Sequence, residues 1–580
     1  MGLRYHSAAR GFDRDGMLAE MERPTTKALT ASSRWVFAVV AVLIGAALLA
    51  SSGRAIAFAG GEIYGHLWTW WWHGEALPSW PAGTDWASGT STWPVIDPLT
   101  CAVGGLVARL TSLVFAWNAV AALAVLGAGA AGAWLARRAG GNPWVGGVVL
   151  ASAPVFWGSV LSGLSEDLAL GLLAVVCGLS WLPSPEATRR RWIALGVCLG
   201  ALAWCGLYLF WMGAWIALFG ALLEGRRLAV TVRHWVVAAA IALLIAGPVV
   251  LSQGERVRGE GHFFGAVDTS THEPSWKVNP WHAADAASLV VPGRAALPDE
   301  AIFRLHPAYL GLVALLLASR GRGRRWWALL GTACLAACGP EFRWFGAPTG
   351  VPNPVDMLVG VLPGGALIHH HGRLLLAGVL GLSVLAARGW VAWSERVPTI
   401  AGWRRGVAGV IAVELLVLGP VPAGSWSAEL HPRDFGVVSA GHETGTLLTI
   451  PVAGPGVHPQ RALFDQTAHR YRVPVDPNRP GAPSGLHKSA TGRWLVEAGR
   501  AASGSTLERF DWCVLDDEGV GVLTVGAGVL PTVSSVLQAP DSEGADGAAW
   551  RVKERCDASS ASNEGASGVV SGEMPVPERE

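Results

Sequence analysis

The sequence predicts a mainly α, polytopic membrane protein of about eleven transmembrane helices, with a small C-terminal α/β or α+β extracytoplasmic domain. Three observations predict it. Apolar residues make up 51% of the 580-residue chain, charged residues only 15%, and mean hydropathy is +0.37. A soluble chain carries about a quarter charged residues. The apolar residues gather into long runs between residues 35 and 421, and a hydrocarbon core of roughly 30 Å takes about 20 such residues per helical crossing. Beyond residue 421 the long runs stop, and short stretches broken by Pro and Gly replace them. Lys plus Arg number 44 against 43 Asp plus Glu, so charge points to no nucleic-acid partner.

Residues 1–34 are polar and basic, with Arg4, Arg10, Arg14, Arg23, Lys27 and Arg34, and lead into the run from Trp35 to Ser52. "AIAFA" resembles a signal-peptide cleavage site, but the long polar lead and the many later spans favour an uncleaved anchor. Further runs cover 115–135, 144–161, 166–182, 192–206, 208–223, 234–251, 306–318, 326–339, 373–389 and 406–421. Residues 98–113 begin with Pro98 and are interrupted by Arg109, which reads as a re-entrant or interfacial piece.

Arginines orient this threading. Arg137/Arg138, Arg189–Arg191, Arg226/Arg227/Arg233, Arg320/Arg322/Arg324/Arg325 and Arg388/Arg396/Arg404/Arg405 lie in short connections. With eleven crossings all five clusters share the side of the basic N-terminus, as the positive-inside rule requires of a cytoplasmic face. The stretch 192–223 reads as a tight hairpin or as one long tilted helix. One crossing would put Arg226, Arg227 and Arg233 outside, so the hairpin is preferred. The opposite face receives 53–114, the link near Glu166, 252–305, 340–372 and everything after 421, and function is expected there.

The C-terminal part, 425–556, contains "GTLLTIPVAG", "RWLVEAG", "DWCVLDDEGVGVLTV" and "AAWRVKER", short strands or strand–helix alternation. Residues 557–580, rich in Ser, Gly, Glu and Pro, have a disordered composition. Cys101, Cys177, Cys198, Cys205, Cys334 and Cys338 lie in or beside apolar runs and read as small buried thiols. Cys513 and Cys556 could pair if their domain is exported, a point the sequence leaves open.

Three outer stretches could carry chemistry. "GGEIYGHLWTWWWHG", residues 60–74, holds Glu62, His66 and His73 at i, i+4 and i+11, one face of a helix, among four tryptophans. The plain alternative is an interfacial anchor, because indole rings suit the headgroup layer. "SGLSEDLALG" places Glu166 and Asp167 at the mouth of an apolar span. There the helix dipole alone favours acids, whereas in hydrocarbon each would cost about 2.5–3.5 kcal/mol. "GGALIHHHGRLLLAG" sets His369, His370, His371 and Arg373 at the edge of another span, a set that could clamp a phosphate or, through its histidines, a metal. Snorkelling to headgroups is the ordinary role for each. Glu414 sits inside the last run and is expected to face protein, with no catalytic role.

With these residues in view, the chain resembles the C-type (GT-C) integral-membrane glycosyltransferases, and more closely bacterial multipass members with an exported C-terminal domain. The resemblance spans most of 35–555 and rests on loose patterns. They are the acid with His and Trp after the first span, "WNAVAALAVLGAGAAGAWLARRAGG" followed by "APVFWGSVLSG", "HPAYLGLVALLLA", "LPGGALIHHHGRLLLAGVLGLSVLAARG" and "LFDQTAHRYRVPV". It implies a bacterial inner-membrane enzyme with a polyprenyl-phosphate sugar and membrane lipid as partners. It makes Glu62, Glu166 and Asp167 catalytic, with Glu62 and Asp167 as ligands of a Mg or Mn ion. His66, His73, His369, His370, His371 and Arg373 would then hold substrate or its phosphate. The implied reaction is inversion by single displacement. The pattern departs from the family in having Glu where Asp is common and His where a further Arg is common. The other readings are a flippase for a lipid-linked sugar, which should show inverted repeats and broken helices, and an inactive scaffold of the same fold. His282 and His469 read as structural.

Overall fold

A computed structural model describes residues 26–57, 62–76, 97–182, 189–223, 228–260, 283–292, 307–365, 368, 370–419, 428–434, 446–450, 461–469, 490–491, 494–495, 510–517, 520–526, 537 and 539–567. The chain is mainly helical, as expected. Helix α1 (Thr26–Ser51) leads to a two-residue strand β1 (Arg54–Ala55) and then to the helices α2 (Ile63–Ala76) and α3 (Pro98–Leu110). Helix α4 (Leu113–Arg138) follows, then α5 (Pro143–Ala151) and α6 (Pro154–Ser162). Pro154 divides these last two because it cannot donate to the preceding turn, yet together they make one apolar span. Leu113–Arg138, Pro143–Ser162, Val232–Leu251 and His371–Arg396 are long and apolar enough to cross a membrane. Each of the other predicted runs also contains a helix.

Helix α3 has 13 residues, about 20 Å at 1.5 Å per residue, too short to span. Leu99, Val103, Leu106 and Leu110 form an exposed apolar stripe along it. That is the pattern of a helix lying in the interface.

After α7 (Leu170–Trp181), helices α8 (Arg189–Cys205) and α9 (Leu207–Leu223) answer the question of 192–223. Gly213 of α9 faces Leu202 and Leu199 of α8, so the two helices fold back on each other about Gly206. Helix α10 (Leu228–Glu260) comes next, then α11 (Leu312–Arg320) and α12 (Arg324–Ala337). The run predicted from residue 306 turns helical only at Leu312. Glu414 explains the late start. Its Oε1 accepts from the Tyr309 hydroxyl at 2.9 Å and its Oε2 from the Val313 amide at 3.0 Å. The acid inside a span therefore caps a neighbouring helix that begins within the body, supplying the acceptor its first amides lack.

A hairpin of β2 (Glu341–Trp344) and β3 (Ala347–Pro352) precedes α13 (Pro354–Val361). A 3-10 turn, His371–Leu374, then opens α14 (Leu375–Arg396), the helix at the centre of the body, and α15 (Arg404–Leu418) closes it.

The described members of the five arginine clusters gather at one end. Arg388 donates to the carbonyls of Ala139 and Arg322, Arg325 to that of Trp181, and Arg191 to that of Leu179. Arg405 lies over Trp144, and Trp192 stacks on His234, next to Arg233. Arg226 and Arg227 lie outside the described residues.

Past the body, β4 (Ala428–Glu429) pairs antiparallel with β1, and the Leu430 amide donates to the Gly53 carbonyl. The C-terminal domain holds β5 (Thr446–Ile450), α16 (Arg461–His469), α17 (Cys513–Asp517), β6 (Val520–Gly526), β7 (Ser542–Gly544), β8 (Gly547–Arg551) and α18 (Val552–Ser567). Its sheet runs β5-β6-β8-β7, with β5 and β6 parallel and the other pairs antiparallel. Leu448, Trp512, Leu523 and Trp550 centre its core. Cys513 and Cys556 are bonded, with Cα atoms 4.8 Å apart. Composition predicted disorder from 557, but α18 continues to Ser567, the disulfide fixing its first turns to α17. Residues 568–580 lie outside the described residues.

Candidate active site

Two glycines bring the outer segments together. Gly163 ends α6 with φ +85°, a left-handed conformation that costs glycine little. Any Cβ there would run into the backbone of Ile63, so only glycine lets the start of α2 lie against the turn that follows. At Gly206, between α8 and α9, a Cβ would stand 2.9 Å from the Glu166 carbonyl oxygen. The segment 165–167, a 3-10 turn of buried residues, is thus held between α2 and the α8–α9 turn.

Glu62 directly precedes α2, His66 lies in it, and Ser165, Glu166 and Asp167 come from that turn. Arg373 comes from the turn opening α14, 207 residues from Glu166 along the chain. His66 Nε2 stands 3.9 Å from Glu62 Oε2 and 3.7 Å from Glu166 Oε2. The Arg373 guanidinium donates to Glu166, its Nε lies 3.5 Å from Asp167 Oδ2, and its cation sits 4.9 Å above the Tyr208 ring. The Ser159 hydroxyl donates to the same Asp167 Oδ2 at 2.7 Å. Glu62, Glu166 and Asp167, distant in sequence, are neighbours in space.

Asp97, Ser165 and Tyr208 join the site without having been singled out in the sequence. Asp97 is the N-cap residue of α3, but its side chain makes no cap bond. It accepts instead from the Ser165 hydroxyl and from the Cys101 thiol. His66 Nδ1 is 2.7 Å from the same Ser165 oxygen. Because that hydroxyl's single hydrogen goes to Asp97, His66 Nδ1–H donates to it, and Nε2 is left as the acceptor facing Glu62 and Glu166. The "DPLT" start of an apolar helix was the available signal for Asp97: an acid just before Pro98, on the same outer loop as Glu62.

The remaining predicted residues scatter around this centre. His73 is buried two turns along α2, its Nδ1 2.8 Å from the Thr69 carbonyl oxygen and its Cβ against Gly105 of α3. The His370 amide donates to the Tyr208 hydroxyl at 3.2 Å, and its ring lies edge-on to that ring. His371 Nε2 pairs with Asp356 of α13 at 2.9 Å. Arg373, expected on a donor phosphate, faces two carboxylates. His369 and His282 lie outside the described residues, as does the side chain of His469.

Burial sets the electrostatics. Glu62 is raised to about 7, chiefly by burial; Arg373 opposes the rise, and Glu166 and Asp167 add to it. The effect holds although 31% of its side chain remains accessible, because the neighbouring acids and the protein around it still disfavour a further negative charge. Burial also lowers His66, against the pull of Glu166, and takes His73 down to about 4. Asp97 is pushed well up, by burial first and Glu166 second, with the bonds from Ser165 and Cys101 pulling the other way.

This set of side chains has the chemistry of a cation site. The site gathers four carboxyl groups, and its one guanidinium pairs with two of them, Glu166 and Asp167. Glu166 Oε2 and Asp167 Oδ1 are buried without a hydrogen-bond partner, which is uncommon for such atoms. One ligand atom each from His66, Asp97 and Glu166 lies within 4.8 Å of the others. Ligand atoms opposed across a Mg or Ca ion stand about 4.0–5.2 Å apart, so the trio fits a divalent ion. The ligands expected from the sequence, Glu62 and Asp167, are outside that trio: Glu62 Oε2 stands 3.9 Å from His66 Nε2, and Asp167 turns to Ser159 and Arg373.

The C-terminal domain reaches the same wall. Trp68 Nε1 of α2 donates to Gln466 Oε1 at 2.7 Å, and Arg461 stands 4.6 Å above the Tyr64 ring. Asp465 is held by the Arg433 amide and guanidinium at 2.9 and 2.7 Å. The "LFDQTAHR" segment thus backs the helix that carries Glu62 and His66.

No family profile matches the chain, and no curated protein matches it. Among solved structures it is similar to the crystal structure of ArnT from Cupriavidus metallidurans bound to undecaprenyl phosphate, at 14% identity and a TM-score of 0.38. The match covers 89% of this chain and 98% of that one. A TM-score this low assigns neither activity nor ligand to the chain.

Proposed function

We propose that the chain is a membrane glycosyltransferase moving a sugar from a polyprenyl-phosphate-linked donor to an extracytoplasmic acceptor, with inversion. The observation that carries the reading is the gathering of Glu62, Asp97, Glu166 and Asp167 about His66 and Arg373, at the end of the body away from the arginine clusters. The orientation has independent support: the C-terminal domain sits at the carboxylate end and carries a disulfide, and disulfides persist in oxidising compartments outside the cytoplasm.

In this reading Glu62 is the base. Held near neutrality and reached by water, it accepts the proton of the acceptor hydroxyl as that oxygen attacks the anomeric carbon. The bond from oxygen to the anomeric carbon forms while the bond to the donor phosphate breaks. Arg373 fixes Glu166 and Asp167, and Ser165 holds the His66 ring. The imidazoles of His370 and His371, with the Tyr208 hydroxyl, edge the place where the phosphate departs. A divalent cation on His66, Asp97 and Glu166 would supply Lewis-acid stabilisation of the charge on that phosphate. The apolar stripe of α3 keeps the site at the bilayer surface, where the polyprenyl chain can stay in lipid while its sugar reaches the carboxylates.

Radiolabelled polyprenyl-phosphate sugars offered to membranes containing wild type or Glu62→Gln test the reading. Transfer by wild type and its loss in the variant is the expected result. Undiminished transfer by Glu62→Gln removes the base, and movement of lipid-linked sugar across the bilayer without transfer replaces the enzyme with a flippase.

A further inference from the structure

At the arginine end the body holds a second, unrelated site. A cavity of about 460 Å³ is lined by Arg320 at the end of α11, Arg322 of the α11–α12 connection, Arg388 and Arg396 of α14, and Trp393 and Glu395. Four arginines against one glutamate leave its walls strongly positive. Arg388 is braced, its Nε on the Ala139 carbonyl and its Nη1 on that of Arg322. These bonds also fix the connections around the cavity. The side chains of Arg320, Arg322 and Arg396 have no hydrogen-bond or ion-pair partner among the described residues. An arginine cluster serving only to orient helices has no need to converge from separate segments on one hollow.

We propose that this cavity binds the phosphate of an anionic phospholipid. The guanidinium fork matches the oxygens of a phosphodiester, and basic pockets between membrane helices on the cytoplasmic side take such headgroups. The surroundings favour a lipid over a free ion. Trp393 is 41% exposed at the cavity edge beside Val391 and Ala392, so an indole lies at the level where headgroups meet chains. The cavity is also separate from the carboxylate site. Arg388 lies 15 residues along the chain from Arg373, about 22 Å of helix, so one headgroup cannot serve both.

The test uses the full chain in detergent micelles, exposed to phosphatidylglycerol or phosphatidylcholine and read by native mass spectrometry for retained lipid. Wild type should retain phosphatidylglycerol preferentially. The double variant Arg322→Gln/Arg396→Gln should lower that retention at least tenfold and leave phosphatidylcholine unchanged. Should the double variant fail to fold, the single variants Arg320→Gln and Arg396→Gln read the same ratio. Equal retention by wild type and variants overturns the proposal. Millimolar inorganic phosphate is the second arm: displacement of all phosphatidylglycerol would mark a free-anion site and overturn the lipid assignment, and persistence of the lipid supports it.

Discussion

His66 Nε2 stands 3.7 Å from Glu166 Oε2, and the two residues come from an outer helix and from a turn at the mouth of a span. Neither has its arrangement from its own segment. Ser165 and Asp97 hold the imidazole from one side, and Arg373 holds the carboxylate from the other. The space between them is bordered by unpartnered carboxylate oxygen and by a ring nitrogen with its lone pair exposed.

Divalent ion binding is expected from that arrangement. Titration of Mn²⁺ into the purified protein, followed by electron paramagnetic resonance, should show one site, and His66→Ala or Asp97→Asn should weaken it at least tenfold. Full-strength binding in both variants would remove the cation site whether or not the chain catalyses transfer.

In the proposed transfer Glu62 would set the pH dependence. Its ionised form would be the base, and burial raises it to about 7. The rate should therefore fall as pH drops through about 7. Glu62→Gln should reduce transfer by about 10²–10⁴-fold and abolish that acid limb, as measured by rate against pH between 5 and 9.

Ser165→Ala removes the link between Asp97 and His66 while leaving all four carboxylates in place. Groups that orient a ligand or base in this way are worth about 10–100-fold. A loss of that size in transfer and in Mn²⁺ affinity together, with an unchanged unfolding temperature, is the expected signature.

Removing Arg373 should be a matter of stability before activity. Arg373→Gln leaves Glu166 and Asp167 buried without their cation, and breaking such a pair from one side costs about 3–5 kcal/mol. Thermal unfolding in detergent should show a large fall for Arg373→Gln and a smaller one for Arg373→Lys, which keeps the charge but loses the fork.

The Cys513–Cys556 bond closes a separation of 43 residues, worth about 4 kcal/mol in the chain-entropy account. Reductant, or Cys513→Ser with Cys556→Ser, should open the C-terminal domain to limited proteolysis at temperatures where the wild type resists, with the helical body left intact.

Much of the body was legible because apolar runs and arginine placement are one-dimensional signals. Every predicted run contains a helix, and the hairpin at Gly206 follows from the same charge argument that favoured it. Glu62, Glu166 and Asp167 stood out because acids beside apolar spans are conspicuous. Asp97 and Ser165 did not, since an acid before a proline and a serine in a turn look like local capping until a distant segment meets them. Arg373 read as a phosphate clamp because sequence shows a cation at a membrane edge but not the carboxylates it faces. The late start of α11 was hidden for a similar reason: the cap for Leu312 and Val313 is a side chain about a hundred residues away.

The two-residue ribbon of Arg54–Ala55 with Ala428–Glu429 gives the molecule a mechanical property. It fastens the C-terminal domain to the segment just after α1, where Asn118 and Trp117 hold Ile56 by its amide and carbonyl. A pull on the C-terminus in a single-molecule force experiment would load this ribbon ahead of the last span. The first rupture should release the ribbon, and only then would tension travel through α15 into the bilayer.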